Sequence, residues 1–459
     1  MRVFLLLLVM LVAPALASGP AEEEFLRTHN YTFHRGLAIV PGVFELVELI
    51  DHPPLRPVTH RILESGFGLN LVDGKPIGLF EFQEDGFKMG VFGCVACHSS
   101  KAAGKFYVGL GNKSIDVASI GHAILKFEKP YRWTKPLRGA DKQAIVDRAF
   151  AFAHDLAHPL IENSTRGMVS INHVNRWFWT AQGLEIPETL PRGGAKVPAL
   201  YGIKAKATEE GLFYDGLGAK GSIAWLALPE LAAGQTPENL RADFHRIERL
   251  WETITQFDPP LYPFDIKRAE LARGAAVYAK SCQECHGTYE REATGAPIYK
   301  APHFCPLDMV GTDPDRARAS TPELRSLIAK SPLADLVTAT DRPAGYFAPR
   351  LDAIWARFPY LHNGSVPTLA DLLLPPGKRP HFWSLDRPGD RDRFDDVRIG
   401  YTLPPASSID ASKLEALGHR GARDIYDVSR PGHSNAGHDF GTDLPEADRA
   451  ALLEYLKTL

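Results

Sequence analysis

Apolar positions in the C-terminal part of this chain follow helical spacing, and nowhere do they alternate for long enough to build a large sheet. Leu271, Ala275 and Tyr278 recur at i, i+4 and i+7, which predicts a helix over 266–278 that delivers Cys282 at its end. Gly274 lies near the apolar side of that helix and costs about 1 kcal/mol against Ala, so another helix is expected to cross closely there. The chain's last segment supplies the partner. Leu452, Leu456 and Leu459 share one face, with Asp443 as the expected N-cap and Glu446 as its capping-box partner. Stretches such as Pro314-Asp315-Arg316 and the polar run 386–396 are turn-rich. The expected fold is mainly α with long loops and little sheet.

Pro259, Pro260 and Pro263 interrupt the chain just before the first of these helices and set a domain boundary there. At the other end, Met1-Arg2, an apolar run over 3–12 and Ala15-Leu16-Ala17 have the order of a secretory signal, with cleavage expected after Ala17. The run is shorter than the roughly 20 residues a spanning helix needs. The reading is therefore a signal over 1–17, an N-terminal domain over 18–258 and a C-terminal domain over 259–459, in a periplasmic or secreted protein with no membrane span after cleavage. A length of 459 residues, 44% of them hydrophobic, provides for more than one core. A formal charge of −3 leaves no basic field for nucleic acid.

Five cysteines in an exported chain would ordinarily mean disulfides, but four of them form two pairs with the same two-residue gap, each followed by histidine. Cys94-Val95-Ala96-Cys97-His98 and Cys282-Gln283-Glu284-Cys285-His286 each hold two thiols to add to the vinyl groups of a haem and an imidazole to bind its iron. A zinc knuckle would want four clustered ligands, and a redox dithiol does not require the histidine. Two covalently bound haem c groups are expected, with His98 and His286 as proximal ligands, in two cytochrome c-like domains. Cys305 reads as a buried small hydrophobe.

Several further stretches carry a resemblance: Gly109-Leu110-Gly111-Asn112, Phe213-Tyr214-Asp215-Gly216, Val310-Gly311-Thr312-Asp313-Pro314, Pro359-Tyr360-Leu361-His362-Asn363-Gly364-Ser365 with Pro367-Thr368-Leu369, and Gly437-His438-Asp439-Phe440-Gly441. With the two motifs they make residues 85–459 resemble the bacterial di-haem cytochrome c peroxidase superfamily, and most of all its rubber oxygenase branch. The resemblance implies that His438 is the second axial ligand of the C-terminal haem, with His433 as competitor. The chain departs from the peroxidases in two places: no Met follows Thr368-Leu369, and no His stands between His98 and His122. The first haem is therefore expected to keep an open face.

Met89, Met168, Met309 and His122 are the remaining candidates for capping an iron, each more simply read as packing or solvated side chains. Tyr201, Phe213 and Tyr214 are placed near the first haem by the resemblance, where an apolar pocket would suit an apolar substrate; Phe213 and Tyr214 join His98 as the catalytic candidates. His362, Arg350 and Arg357 read as hydrogen-bond or propionate partners. The expected function is an oxidoreductase whose first haem meets dioxygen or hydrogen peroxide while the second relays electrons, with a small redox protein as donor. The resemblance leans toward dioxygen and an apolar unsaturated chain, with no commitment to rubber. A non-enzymatic electron carrier and an enzyme oxidising Trp on a partner protein are the other readings.

Overall fold

The computed structural model describes residues 19–27, 38–39, 56–84, 87–133, 140–161, 165–209, 211–232, 234–291, 297–298, 303–385, 394–403 and 423–459. The expected signal over 1–17 lies outside them. The fold is mostly helical, and the described strands form one three-stranded and seven two-stranded sheets, none broad enough to serve as a layer. Among the described residues no helix is long and apolar enough to cross a membrane.

The expected helix pair is present. After a 3-10 turn over Arg268–Glu270, the helix Leu271–Ser281 packs along Glu446–Leu456. A Cβ built on Gly274 would lie 2.1 Å from the Ala451 carbonyl oxygen, so only glycine admits this crossing. Leu452 and Leu456 are buried against the core, as is Tyr278, whose hydroxyl donates to the Gly287 carbonyl at 2.8 Å. The expected cap at Asp443 is not formed. The helix starts at Glu446 behind Pro445, which stands extended at the N-cap position with no side-chain cap bond. Proline's fixed φ starts the first turn there, beyond reach of the Asp443 carboxylate. Glu446 and Asp448 instead put negative charge in the first turn.

One antiparallel pair, Leu79–Glu84 with Phe87–Phe92, is longer than the sequence reading allowed for. Its signal is present in Asp85-Gly86, a dipeptide favoured between hairpin strands. The pair ends one residue before the Cys94–Cys97 turn, which it positions.

The largest hydrophobic core draws on both sides of residue 258, joining Val95, Tyr107 and Leu110 to Trp355, Tyr360 and Leu452. Trp355 is fully buried, edge-on to Tyr107 and Tyr262, and its indole N–H donates to the Pro260 carbonyl at 3.1 Å. Trp177 and Trp179 pack on a second core built around the helix Asn172–Thr180. The helix Glu128–Trp133 ends at Trp133, whose side chain lies outside the described residues.

Candidate functional site

Cys94–Cys97 form a single helical turn, with Gly93 extended at its N-cap. The turn is held from outside by the Gly109–Asn112 stretch. Asn112 Nδ2 donates to the carbonyls of Ala96 and Gly68 at 2.8 and 2.9 Å, Asn112 N to Cys97 O at 2.7 Å, and Gly109 N to His98 O at 2.8 Å. A Cβ on Gly111 would meet the Val197 carbonyl oxygen at 2.0 Å, so that stretch is pressed between the motif and residues 197–200. His98 receives its own partner from there: Nδ1 lies 3.0 Å from the Pro198 carbonyl oxygen. A carbonyl only accepts, so the proton sits on Nδ1 and Nε2 keeps its lone pair for a metal. Burial, against the hydrogen bond to Pro198, pushes the His98 pKa down to about 4, which keeps the ring neutral.

The second motif repeats the device. Cys282 caps the helix Leu271–Ser281, and Gln283–His286 form the next turn. His286 Nδ1 lies 2.8 Å from the Pro349 carbonyl oxygen, and burial lowers its pKa as well. Opposite it stands His438, with ring centres 6.2 Å apart. An imidazole nitrogen binds a first-row metal at about 2 Å and lies about 1 Å from its ring centre, so two rings sharing one metal sit about 6 Å apart. The His438 pKa is pushed down to about 3 by burial, then by His286 and Arg379. The competing His433 has both nitrogens engaged, Nδ1 at 3.0 Å from Pro431 O and Nε2 at 3.2 Å from Thr165 Oγ1.

The cysteines suit thioether formation better than the alternatives. Burial pushes Cys94 up to about 12, and Cys97 and Cys282 each up to about 11, the reverse of the depressed thiol a redox pair employs. Among the described residues no group of three or more His, Cys, Asp or Glu could hold a metal ion, as a zinc knuckle would require. Cys305 is buried on the strand Phe304–Pro306, close enough to Cys285 for their thiols to interact.

A cavity of about 300 Å³ runs from Cys282, Cys285, His286 and His438 to Leu110, Pro198, Tyr201 and Tyr214, thus from the second motif to the stretches that brace the first. Its lining is mainly apolar, with basic groups at Lys113, Arg166, Lys196, Lys206, Lys280, Arg350 and Arg357 and a single described carboxylate, Glu284. Arg357 Nη1 donates to the Arg350 carbonyl at 2.8 Å, while its Nε and Nη2 are buried without a partner. His362 also lines the cavity, stacked on Tyr346 at 4.1 Å with Nε2 unpartnered. A haem carries two carboxylates and an apolar ring, so these residues fit it.

The aromatic candidates divide. Tyr201 and Tyr214 line the cavity; the Tyr201 hydroxyl donates to Val108 O at 2.6 Å, and burial pushes the Tyr214 pKa up to about 12. Phe213 is absent from the described lining and packs edge-on against Trp225 at 5.0 Å in the second core. Met168 is buried beside the cavity, its sulfur accepting from Thr165 Oγ1 at 3.0 Å. Met309 is half-exposed at the second motif's end, and His122 sits on the helix Val117–Leu125. Met89 is on the strand Phe87–Phe92, its side chain outside the described residues. Sequence reasoning missed Asn112 as a clamp, Pro198 and Pro349 as acceptors, and Arg379, which brackets His438.

Among proteins of Sinorhizobium fredii, the chain is 32% identical over 209 residues to the uncharacterized protein y4iM, covering 39% of this chain and 43% of the relative. It is 31% identical over 269 residues to the uncharacterized protein y4iJ, covering 45% of this chain and 42% of the relative. The chain thus spans less than half the length of these curated relatives. Residues 345–384 match a family model described as RoxA-like, cytochrome c-like. That segment carries Pro349, Arg357, His362 and Arg379, and a cytochrome c-like segment implies covalently bound haem c.

Proposed function

We propose that the chain is a periplasmic or secreted di-haem c-type cytochrome oxidoreductase, with one haem at Cys94, Cys97 and His98 and another at Cys282, Cys285 and His286, the second also ligated by His438. One observation carries the reading. At each Cys-x-x-Cys-His motif the imidazole Nδ1 meets a proline carbonyl, 3.0 Å away at His98 and 2.8 Å at His286, an arrangement that presents Nε2 to a metal. At the second motif the His438 ring centre lies 6.2 Å from that of His286, the spacing two imidazoles on one metal would take.

When bound, the first haem supplies an iron that reacts with dioxygen or hydrogen peroxide, and the second relays electrons. The residues of the chain do the rest. Burial lowers the pKa of all three imidazoles, Arg357 offers two unpartnered donors to a propionate, and Tyr201 and Tyr214 give the cavity an aromatic wall on the side of Pro198. That wall suits an apolar organic substrate, in keeping with the resemblance to the rubber oxygenase branch of the di-haem peroxidases. A small redox protein is the expected electron donor. The second reading, a non-enzymatic electron carrier, draws on Met168, a buried thioether at the cavity able in kind to cap the first iron.

Electron paramagnetic resonance of the haem-loaded ferric protein tests the proposal, together with a pyridine haemochrome count. Two haems per chain with one high-spin and one low-spin signal are expected. Two low-spin signals in the ferric protein, with a ferrous absorption spectrum showing both haems six-coordinate as well, would replace the oxidoreductase with the carrier, and one haem per chain would overturn both.

A further inference from the structure

Arg379 is 2% exposed, one of the largest fully buried side chains. Its guanidinium uses all five N–H groups on main-chain carbonyls. Nε donates to Leu374 O at 3.0 Å, Nη1 to Asn435 O and Gly437 O at 2.6 and 2.7 Å, and Nη2 to Leu372 O and His438 O at 3.2 and 3.0 Å. No carboxylate is among these partners. Asp439 and Asp371 act on it only through the field, and Asp371 is committed to Arg398. A full positive charge is therefore buried beside His438, solvated by peptide dipoles.

Two of the five carbonyls, Gly437 O and His438 O, stand on either side of the His438 α-carbon. Its own N–H completes the set, donating to Val310 O at 2.8 Å. His438 needs this hold. It sits at φ 51°, a left-handed conformation uncommon for a residue with a Cβ, and it follows Gly437, where a Cβ would lie 2.1 Å from Gly311 C. Without outside constraint the loop would relax and carry the imidazole away from His286.

The geometry points to Arg379 as the positioning residue that locks His438 opposite His286 and, by its buried charge, raises the reduction potential of the second haem. The inference rests on the reading of His438 as an axial ligand. Reduction lowers the charge at the iron by one, so a nearby fixed cation favours the reduced state. A lysine keeps the charge, but its three donors on a flexible stem cannot span the same five carbonyls.

The test uses the full-length, haem-loaded protein and the variants Arg379→Lys, Arg379→Gln and His438→Ala, followed by electron paramagnetic resonance and potentiometric titration of the second haem. Arg379→Gln is expected to shift the potential downward and to convert part of the low-spin signal to high-spin, with added imidazole restoring the low-spin form. Arg379→Lys should show the high-spin fraction with the potential of its remaining low-spin form nearly kept, and it decides the positioning role if the glutamine variant does not fold. Low-spin signals unchanged in Arg379→Lys, or a signal and potential both unchanged in a folded Arg379→Gln, would overturn the inference. His438→Ala separates the two claims: if it retains the native low-spin signal, the ligand assignment itself fails.

Discussion

Replacing Gly274 with alanine would put a methyl carbon 2.1 Å from the Ala451 carbonyl oxygen and 2.7 Å from the Tyr455 Cβ. Ordinary contact begins at 3.4 Å, so the helices Leu271–Ser281 and Glu446–Leu456 would have to part by about 1 Å in a close-packed interior. Overpacking of this kind costs about 1–3 kcal/mol. The upper end applies because the atom struck is main chain within a helix and cannot rotate aside. Alanine's better helix propensity returns about 1 kcal/mol, which leaves a net loss of about 2 kcal/mol. For a chain of this length the urea m-value rises above that of small proteins to about 4 kcal/mol/M, so the midpoint of the transition should fall by about 0.5 M, as read by far-ultraviolet circular dichroism. Gly377→Ala is the control, since nothing lies within 4 Å of its added carbon and the change should stay within about 0.5 kcal/mol. A Gly274→Ala midpoint at or above that of the native chain would refute the tight crossing.

Three further outcomes are expected. His438→Ala should abolish the low-spin signal of the second haem while His433→Ala keeps it, because both His433 nitrogens are already engaged; loss in the His433 variant alone would reverse the assignment. Asn112→Ala strips two donors and one acceptor from buried main-chain partners, a local loss of about 3 kcal/mol at about 1 kcal/mol each; haem loading at Cys94 and Cys97 should fall in a pyridine haemochrome assay, and undiminished loading would count against the clamp. Asp116→Asn removes the buried partner of Arg423, 2.6 Å away, and should cost about 3 kcal/mol at neutral pH. Burial raises the Asp116 pKa, but Arg423 outweighs it and the net shift is downward from 3.8. The ion pair's contribution is thus present above pH 3.8 and lost as pH falls through the lower folded value, so the two chains should converge in stability there. A difference independent of pH would refute the electrostatic account.

The residues proposed to bind haem stand out in the sequence because attachment chemistry demands a fixed local string, and a string is what sequence displays. Gly274 was legible for a similar reason, as a glycine in a helix interior calls for a close neighbour. The acceptors for His98 and His286 left no such trace: every residue has a carbonyl, so nothing in the side chains marks Pro198 or Pro349. Arg379 was equally silent, since its five partners are main-chain atoms, two lying five and seven residues before it and three lying 56, 58 and 59 residues beyond it. Asp443 and Glu446 have capping-box spacing, but Pro445 between them fixes the helix start, and the only sequence mark of the hairpin at 79–92 is the dipeptide Asp85-Gly86. Phe213 and Tyr214 are neighbours in sequence, yet packing sends one ring to the second core and the other to the cavity.

The two proline carbonyls lie 100 residues beyond His98 and 63 beyond His286. The thiols and imidazole of each motif fall within five consecutive residues, so covalent capture of a haem asks nothing of the chain as far away as those two carbonyls. Orienting the imidazole does, because closing loops of this length carries an entropic cost that only tertiary contacts offset. Assembly therefore separates into two stages, a local bond-forming stage and a later one in which folding sets the proton on Nδ1 and the aim of Nε2. A chain caught between them would hold its cofactor with untuned ligands, and its spectrum and potential would act as a gauge of how far folding had advanced.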